Sequence, residues 1–483
     1  MKYAVQRYGS WEWLDLDAPL RTDGPEWALS TWGAMTATLT PEQAQQTALD
    51  GRPVFEEWGT LIHAETGDTA DRRRWTGIVA RSEVKGASHE LRIVEFPGYS
   101  DGVPVDALIR GTGTDPAVLL RAVWQAIQAY PNSWLNVDVL GETPVRLGTD
   151  LDDKAAIAHA VMVARKETLD ALQGARQETT AELQDLTNTL GDEVAAARAQ
   201  VVAAQSSLNG LFATDAPQGQ IDDAKSTLTA RQAALTALET TYQAETAAGR
   251  WAVQNAASTV EAARVAHDEA KEAYQAAAEL AKEQGGAYEI RPEDLTDAAK
   301  AIADLVRSSG IEWTTAVDYS EGPPQCYIRV HYPRAGTRRD DLIFEQGENV
   351  ISELNPVREG SEYANSGYGI GAGEGPDAVR ATIENPSPRL RRPVTVEDRS
   401  LHRVDQLQAR LRAEVERLDG EPYVSQITVI DHDYAPIGSW QVGDIITVTG
   451  QVPHLGAYRK PHRIISWKYQ GETRAELRLA PAR

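Results

Sequence analysis

The residues best placed to do chemistry in this sequence are a run of closely spaced glycines. Residues 369–375 read GIGAGEG, a spacing typical of loops that hold the phosphates of a dinucleotide. Such a loop must follow a buried parallel strand and begin a helix, because the helix N-terminus binds the phosphates. Residues 376–384, PDAVRATIE, instead predict a strand. We therefore interpret the glycine run as a flexible β-turn and expect no nucleotide cofactor.

Two further features could carry catalysis or bind a metal. Asp431 and Asp433 flank His432, but strand alternation would place the carboxylates on one face and the imidazole on the other. The single cysteine, Cys326, cannot form an intrachain disulfide, and the alternating pattern around it predicts a buried structural residue. Zinc-protease, serine-hydrolase and phosphate-loop motifs do not occur, and nothing singles out a catalytic pair among the 71 acidic residues. We therefore predict a protein that is not an enzyme, without catalytic, cofactor-binding or metal-binding residues.

The net charge argues against an extended nucleic-acid-binding surface. The chain carries 48 basic and 71 acidic residues, a net charge of −23, which disfavours binding to phosphates. For the basic runs at residues 72–74 and 389–393 we favour solvated loops or salt bridges between subunits. The N-terminal residues lack the apolar stretch of a signal peptide, and no run reaches the ~18 apolar residues needed to span a bilayer. We expect no membrane-spanning segment and a chain kept in the cytoplasm until it is used.

The elements that would position functional residues change in type along the chain. Residues 1–100 contain short alternating segments separated by turn residues, which predict a small β-barrel or sandwich. Residues 101–151 and 285–325 each predict a small α/β segment. Residues 326–483 predict a second β-rich, barrel-like region with one helix at about 398–418. The two β-rich regions therefore flank the middle of the chain.

The middle of the chain, residues 152–284, predicts a long antiparallel helical hairpin. It contains a single proline, Pro217, in a turn at residues 214–219, and apolar residues on both sides recur at steps of three and four, as in a coiled coil. Because the turn ends one helix and begins another, the two arms must be antiparallel, each about 60 residues or roughly 90 Å long. The predicted coiled-coil seam consists of Leu183, Leu186, Leu190, Val194, Val201, Leu208, Ile221, Leu228, Leu235, Leu238 and Tyr242.

The composition of this hairpin predicts an oligomer. Residues 151–286 carry 20 acidic and 11 basic side chains, a net charge of −9. A hairpin this thin buries little surface, and packing against copies of itself would cover more. The expected fold class is therefore α+β, with two β-barrel regions that flank a long antiparallel α-helical coiled-coil hairpin, plus small α/β segments.

Four motifs in the C-terminal half point to a family. They are LIFEQGENVI at residues 342–351, EYANSGYG at 362–369, WQVGDIITV at 440–448 and YRKPHRI at 458–464. In combination they resemble minor tail proteins of long-tailed, siphovirus-type bacteriophages, of the tail hub or baseplate hub family. The resemblance covers residues 287–483 through these motifs, and residues 1–145 through the order of elements only.

The resemblance implies a structural role in a virion. Members of that family form trimeric rings in which two tube-like β-barrel domains per subunit give pseudo-sixfold symmetry, and the ring joins the tail tube to the tip around a lumen that passes DNA or the tape-measure protein. The expected partners are further copies of this chain, the distal tail protein and other tail-tip proteins, and the expected location is the tail tip after assembly in the host cytoplasm. The long helical insertion departs from the usual hub. A tail-associated peptidoglycan hydrolase and a coiled-coil adhesin for the host surface are the open alternatives.

Overall fold

The protein is of mixed α+β type and divides into two compact units. The computed structural model describes residues 1–66, 73–86, 88–319, 322–358, 360–373, 378–398, 401–418, 420–471 and 473–482. The β-rich unit comprises Met1–Asp150 and Lys282–Arg483, and the helical unit comprises Leu151–Ala281. The α+β class expected from the sequence is confirmed.

The helices begin and end at residues whose side chains explain their limits. In the described part of the chain they are α1 (Pro41–Ala44), α2 (Pro116–Gln128), α3 (Leu151–Ala213), α4 (Gln218–Gln284), α5 (Ala298–Ser309) and α6 (Val404–Arg417). The Asp115 carboxylate accepts the backbone N–H of Ala117 at the start of α2, and Asp297 does the same for Lys300 in α5. Helix α6 begins at Val404 rather than near residue 398.

The N-terminal residues form an open, half-barrel antiparallel sheet. The strands of this part are β1 (Lys2–Arg7), β2 (Trp13–Asp15), β3 (Arg21–Thr22), β4 (Glu26–Ala28), β5 (Ala34–Leu39), β6 (Thr60–Thr66), β7 (Arg73–Lys85) and β8 (Ser88–Glu95). Seven of them pair in the order β2-β1-β6-β7-β8-β5-β3. Alternation directs Met35, Ala37 and Leu39 of β5 into a core around Trp75. We call this the first sheet.

A middle layer combines two helices with short strands. Its strands are β9 (Ile109–Gly111), β10 (Val137–Leu140), β11 (Tyr288–Ile290), β12 (Glu312–Asp318) and β13 (Gln325–His331). Strand β13 lies between β10 and β12, parallel to β10 and antiparallel to β12, while β11 pairs with β9. Helices α2 and α5 share one apolar core with these strands, which includes Trp124, Leu305 and Trp313.

The C-terminal residues form a second half-barrel sheet and two smaller ones. The strands are β14 (Phe344–Glu345), β15 (Pro356–Val357), β16 (Ser366–Ile370), β17 (Arg380–Glu384), β18 (Pro393–Glu397), β19 (Tyr423–Val424), β20 (Gln426–Ile430), β21 (Ile445–Val452), β22 (Gly456–Tyr469) and β23 (Arg474–Pro481). The second sheet has the order β14-β21-β22-β23-β20. Strand β4 of the N-terminal region also pairs with β22, so the rings of Trp27 and Trp467 stack with centroids 4.4 Å apart. One strand therefore connects the two half-barrels.

The helical unit consists of α3 and part of α4, which contact each other with opposite directions. The rings of His159 and Tyr274 lie 5.0 Å apart near the start of α3 and the end of α4. Further along, Arg198 Nη2 lies 2.6 Å from Glu239 Oε1. Near the turn, Leu208 shares an apolar cluster with Leu228. As the residue number rises in one helix it falls in the other.

Candidate assembly site

The residues of the predicted coiled-coil seam lie where α3 and α4 pack. Val194, Leu208, Ile221 and Leu228 are buried. The other seven are half-buried: Leu183, Leu186, Leu190, Val201, Leu235, Leu238 and Tyr242. A Cβ on Gly249 of α4 would lie 2.5 Å from Cδ1 of Leu183, so the glycine lets the two helices approach closely. Their function as a coiled-coil seam stays a prediction.

In the β-rich unit, strand β12 is the point at which the first and second sheets meet. The backbone N–H of Trp313 donates to Ser30 Oγ at 3.1 Å, and the N–H of Ser30 donates to the Trp313 carbonyl at 2.9 Å. At the end of β12, Asp318 forms an ion pair with Arg74 of β7. We call β12 and the side chains bound to it the sheet joint.

The buried carboxyl of Glu95 connects the first sheet to the sheet joint. Its Oε2 accepts the backbone N–H of Gly33 at 2.9 Å, and its Oε1 accepts the hydroxyl of Thr315 on β12 at 2.5 Å. The side chain is 1% exposed, and burial raises the pKa of Glu95 to about 7 from its usual value of 4.5. The carboxyl is therefore half-protonated near neutral pH.

A second buried polar network binds the backbone at Gly322, which follows β12 in the chain. The Gln6 side-chain amide donates to the carbonyls of Trp11 and Gly322, so its oxygen accepts from His63 Nε2 at 3.1 Å. The Thr76 hydroxyl then donates to His63 Nδ1 at 2.8 Å. These partners assign the neutral Nε2–H tautomer. Burial agrees with this, because it lowers the pKa of His63 to about 3.

A bidentate ion pair connects the second sheet to the same strand. Arg463 of β22 places Nη1 2.6 Å from Glu312 Oε1 and Nη2 2.5 Å from Glu312 Oε2. The guanidinium also donates to the carbonyls of Ala335 and Gly443, at 2.9 and 3.1 Å. Glu312 at the start of β12 therefore binds the second sheet, while Thr315 in its middle binds the first.

A cleft of about 430 Å³ opens beside the sheet joint. Its walls include Thr314 to Val317 of β12, the stacked rings of Trp27 and Trp467, and the arginines Arg73, Arg74 and Arg329. Two of these arginines have partners within the chain. Arg73 donates to the carbonyl of Gly438, and Arg74 binds Glu65 and Asp318.

Two of the motifs that suggested a family, at residues 342–351 and 440–448, form turns of the second sheet. Asn349 is fully buried: its amide donates to the Ile343 carbonyl at 2.7 Å and its oxygen accepts the N–H of Glu345 at 2.9 Å. The adjacent Val350 bridges to Val429 of β20, so this turn links the two edges of the sheet. The buried carboxylate of Asp444 likewise accepts backbone N–H groups of neighbouring turns.

The polar triplet at residues 431–433 lies in a turn, and our strand assignment for it was wrong. Strand β20 ends at Ile430. Asp431 Oδ1 accepts the N–H of Ile437, and His432 Nδ1 accepts the N–H of Tyr434. The side chains of Asp431 and His432 therefore satisfy nearby backbone groups. They are exposed or half-buried.

The glycine run and the lone cysteine have structural explanations. A Cβ on Gly369 would lie 2.8 Å from Leu407 Cγ, and one on Gly367 would lie 3.0 Å from Leu411 Cδ2. These glycines let α6 pack directly on β16; residues 374 and 375 of the run lie outside the described residues. Cys326 is buried as predicted, and burial raises the pKa of its thiol far above the usual range.

Arginines of both basic runs have partners within the chain. Arg391 forms an ion pair with Glu384 and lies over the ring of Tyr368, and Arg389 lies over the ring of Tyr363. Arg72 lies outside the described residues.

Within the described residues, no group of three or more His, Cys, Asp or Glu side chains could hold a metal ion. Across the same parts of the chain, no helix has both the length and the apolar character needed to cross a membrane.

The residues of the sheet joint were not predicted from the sequence. Period-2 alternation places Glu95 on the same face as Leu91 and Ile93, which are fully buried, so a carboxyl among inward residues was a usable signal. The pairing of Glu312 with Arg463 had no such signal, because 151 residues separate them.

Comparison with known proteins gives only distant structural likenesses, two of which follow. No family model matches the chain, and no curated protein matches it. A tail protein is among the solved structures that resemble it: the 43 kDa tail protein of prophage MuSo2 from Shewanella oneidensis matches 99% of this chain and 98% of its own, with 8% identity and a TM-score of 0.47. The Escherichia coli c3393 protein, a type VI secretion component described as similar to T4 tail proteins gp27 and gp5, matches 99% of this chain and 77% of its own, with 8% identity and a TM-score of 0.38. At these values neither likeness establishes a shared fold or function.

Proposed function

We propose that this chain is a non-enzymatic structural component of a bacteriophage tail, a hub that joins the tail tube to the tip. The observation that carries the proposal is the sheet joint. One chain contains two half-barrel sheets, and both are bound to β12, through Glu95 and Arg74 from the first sheet and Arg463 from the second. Strand β4 adds a direct connection between them.

Such a subunit suits a ring of three copies. Two comparable sheets per chain would give six barrel-like walls around a lumen, the arrangement implied by the motif resemblance. The turn of Asn349 already links the edges of the second sheet, and this supports a tube-like barrel there. In the proposed ring the neighbours are the distal tail protein and other tail-tip proteins, and the negative chain suits transient passage of DNA without binding it.

We extend the proposal to the helical unit, where α3 and α4 would form an antiparallel coiled coil. The eleven predicted seam residues are all buried or half-buried, which supports this assignment. Knobs-into-holes packing requires that each apolar side chain enter a gap between four residues of the facing helix. Cross-linking of cysteines placed at Leu183 and Gly249 in a chain lacking Cys326 would test the register, with Leu183 of α3 and Gly219 of α4 as the mismatched control pair.

The oligomeric state and the place in the particle test the hub. Mass photometry of the purified chain should give three times its 52.7 kDa, and electron microscopy should show threefold rings in the particles and in the purified sample. A stable monomer at micromolar concentration, together with particles that lack such a ring at the tail tip, would contradict the proposal. Clearing of host cell walls by the purified protein would favour the hydrolase alternative instead.

A further inference from the structure

Strand β12 has one edge with which no other described strand pairs. In its three-stranded sheet the order is β10-β13-β12, so β13 pairs with one side of β12 only. Beside β12 lies the cleft of about 430 Å³, which we call the joint cleft, and four consecutive residues of the strand, Thr314 to Val317, line it. A strand presents alternate residues on a face but consecutive residues along an edge. The joint cleft therefore runs along the open edge of β12.

The backbone groups of Thr315 and Val317 face this open edge. The N–H of Cys326 on β13 donates to the carbonyl of Asn136, on the side of β13 away from β12. Cys326 lies opposite Val317 in the register, so these two residues form a pair without backbone hydrogen bonds. Such pairs occur at every second position of an antiparallel ladder, so Thr315 belongs to one as well. Both residues therefore direct their N–H and C=O groups away from β13.

The open part of the edge is short. At one end the backbone of Trp313 is already bonded to Ser30, through its carbonyl at 2.9 Å and its N–H at 3.1 Å. At the other end Asp318 forms its ion pair with β7. Between them, in the part of the chain that the structure describes, the N–H and C=O groups of Thr315 and Val317 have no hydrogen-bond partner. From Trp313 to Asp318 the strand is roughly 17 Å long at about 3.3 Å per residue, so the edge has room for about four residues of an added strand.

The joint cleft is positively charged, although the chain has a net charge of −23. The charged side chains that line it are all arginines, Arg73, Arg74 and Arg329. Arg74 is shared between Glu65 and Asp318, whereas Arg73 donates to a carbonyl and Arg329 is exposed. Among the described residues, no carboxylate lies within ion-pair distance of Arg73 or Arg329. These two guanidinium groups therefore favour a ligand with negative charge.

The remaining wall of the joint cleft is largely aromatic. The rings of Trp27 and Trp467 stack with centroids 4.4 Å apart, and Trp440 meets Trp467 edge-on at 6.2 Å. An added strand would direct every second side chain to one face, where such rings supply apolar contact area. The joint cleft therefore combines an open strand edge, positive charge and an apolar wall.

We propose that the joint cleft binds an extended segment of a partner protein, one that adds a strand to β12 and carries aspartate or glutamate side chains. Backbone hydrogen bonds with Thr315 and Val317 supply affinity, and Arg73 and Arg329 select acidic side chains. A helix is disfavoured as the occupant, because its own turns already use its backbone N–H and C=O groups. A second copy of this chain that pairs through its own β12 edge is disfavoured too, since it would bring the same arginines together.

Binding of short peptides to the full-length protein tests the proposal. Two fluorescent peptides of about eight residues would alternate valine with glutamate in one and valine with lysine in the other. Anisotropy titrations should show binding of the glutamate peptide, weakened by added salt, and at least about tenfold weaker binding of the lysine peptide.

Methylation of the peptide backbone distinguishes strand addition from a purely electrostatic contact. A strand bonds to one neighbour through alternate residues, so two versions of the glutamate peptide would carry N-methyl groups on the odd-numbered or on the even-numbered residues. One version should bind at least about tenfold more weakly than the unmodified peptide, because it lacks the N–H groups that pair with β12. The other version should bind as the unmodified peptide does.

Variants locate the site. Val317→Pro removes an N–H that β13 does not use, and it should weaken binding of the glutamate peptide by at least about tenfold, whereas Val317→Ala keeps the N–H and should weaken it much less. Arg329→Ala should weaken binding by about fivefold. Arg459→Ala is the matched control for the charge, since Arg459 is also an exposed arginine within a strand but lies outside the joint cleft. Urea unfolding should give similar midpoints for both arginine variants, because both side chains are exposed.

Several results would overturn the proposal. Equal binding of the two peptides, absence of binding, equal binding of the two methylated versions, or equal effects of Arg329→Ala and Arg459→Ala would each do so. If Val317→Pro does not fold, the methylated peptides and the arginine variants decide. Self-association of the chain that the glutamate peptide abolishes would identify a second copy as the occupant, against the proposal. The hub function does not depend on this cleft, so failure here leaves the threefold ring to be tested by its own measurement.

Discussion

Replacing Glu95 with glutamine should remove a pH-dependent loss of stability from the β-rich unit. The buried carboxyl has its pKa raised from 4.5 to about 7, mainly by burial. As the pH rises above 4.5 the unfolded chain releases this proton, while the folded chain keeps it until about pH 7. The free energy of unfolding therefore falls through this window, and the contribution present below pH 4.5 is lost above pH 7.

The size of the effect follows from the width of that window. Each unit of pKa difference corresponds to about 1.4 kcal/mol, so a difference between 4.5 and about 7 amounts to roughly 3 kcal/mol. Glutamine does not ionise. Its oxygen can accept the N–H of Gly33, and its amide can donate to the Thr315 hydroxyl, which in the original chain donates to the carboxyl oxygen. The free energy of unfolding of Glu95→Gln, minus that of the original chain, should therefore rise by roughly 3 kcal/mol from pH 4.5 to pH 8.

Urea unfolding followed by tryptophan fluorescence measures this difference. Of the 12 tryptophans only Trp251 lies in the helical unit, so the signal reports mainly on the β-rich unit. Subtracting the two pH profiles cancels the contributions of His63 and His462, whose pKa values burial lowers to about 3 and about 4. Glu12→Gln, which removes an exposed carboxyl, is the control. Parallel profiles for Glu95→Gln and the original chain would refute the reasoning.

Four further substitutions test the packing of the helices and the ion pair of the sheet joint. Leu228→Ala should lower the stability of the helical unit by about 2 kcal/mol, measured by circular dichroism at 222 nm, because Leu228 is buried between the helices. Gly191→Ala should raise the stability of the helical unit by up to about 1 kcal/mol, because an added Cβ meets nothing within 4 Å. Gly249→Ala should raise this stability by less, or lower it, because its Cβ meets Leu183. Arg463→Met should destabilise the β-rich unit by about 3 kcal/mol in urea, because it leaves a carboxylate without its partner; an unchanged midpoint would contradict this.

The helices could be predicted from the sequence because the residues that determine them are close together in the chain. The stretch around the single proline at Pro217 shows apolar residues at helical spacing, and α3 and α4 end and begin on either side of that turn, at Ala213 and Gln218. The strands of the first sheet were readable for the same reason, since Met35, Ala37 and Leu39 alternate with polar or small neighbours. Propensity and periodicity act over a few residues, and both are visible in one sequence.

The connections between the sheets could not be predicted from the sequence, because the residues that form them are far apart in the chain. Strand β4 has three residues, and nothing local indicates that it leaves the first sheet to pair with Ser466–Lys468, more than 400 residues later. The triplet Asp431–Asp433 shows the opposite failure. We expected strand alternation through the two carboxylates and the histidine, but β20 ends at Ile430 and Asp431 Oδ1 accepts the N–H of Ile437 in the turn that follows.

The chemistry of the sheet joint explains what it can contribute to a hub. An ion pair such as that of Glu312 and Arg463 adds little net stability, since desolvation offsets most of the attraction, but its bidentate geometry permits few orientations. Apolar stacking of Trp27 on Trp467 provides stabilisation with much less directional preference. A ring subunit that must place two sheets in comparable positions needs both. In the proposed hub, replacement of both partners by apolar residues should therefore impair ring formation more than it impairs folding, because orientation and not burial is what the pair determines.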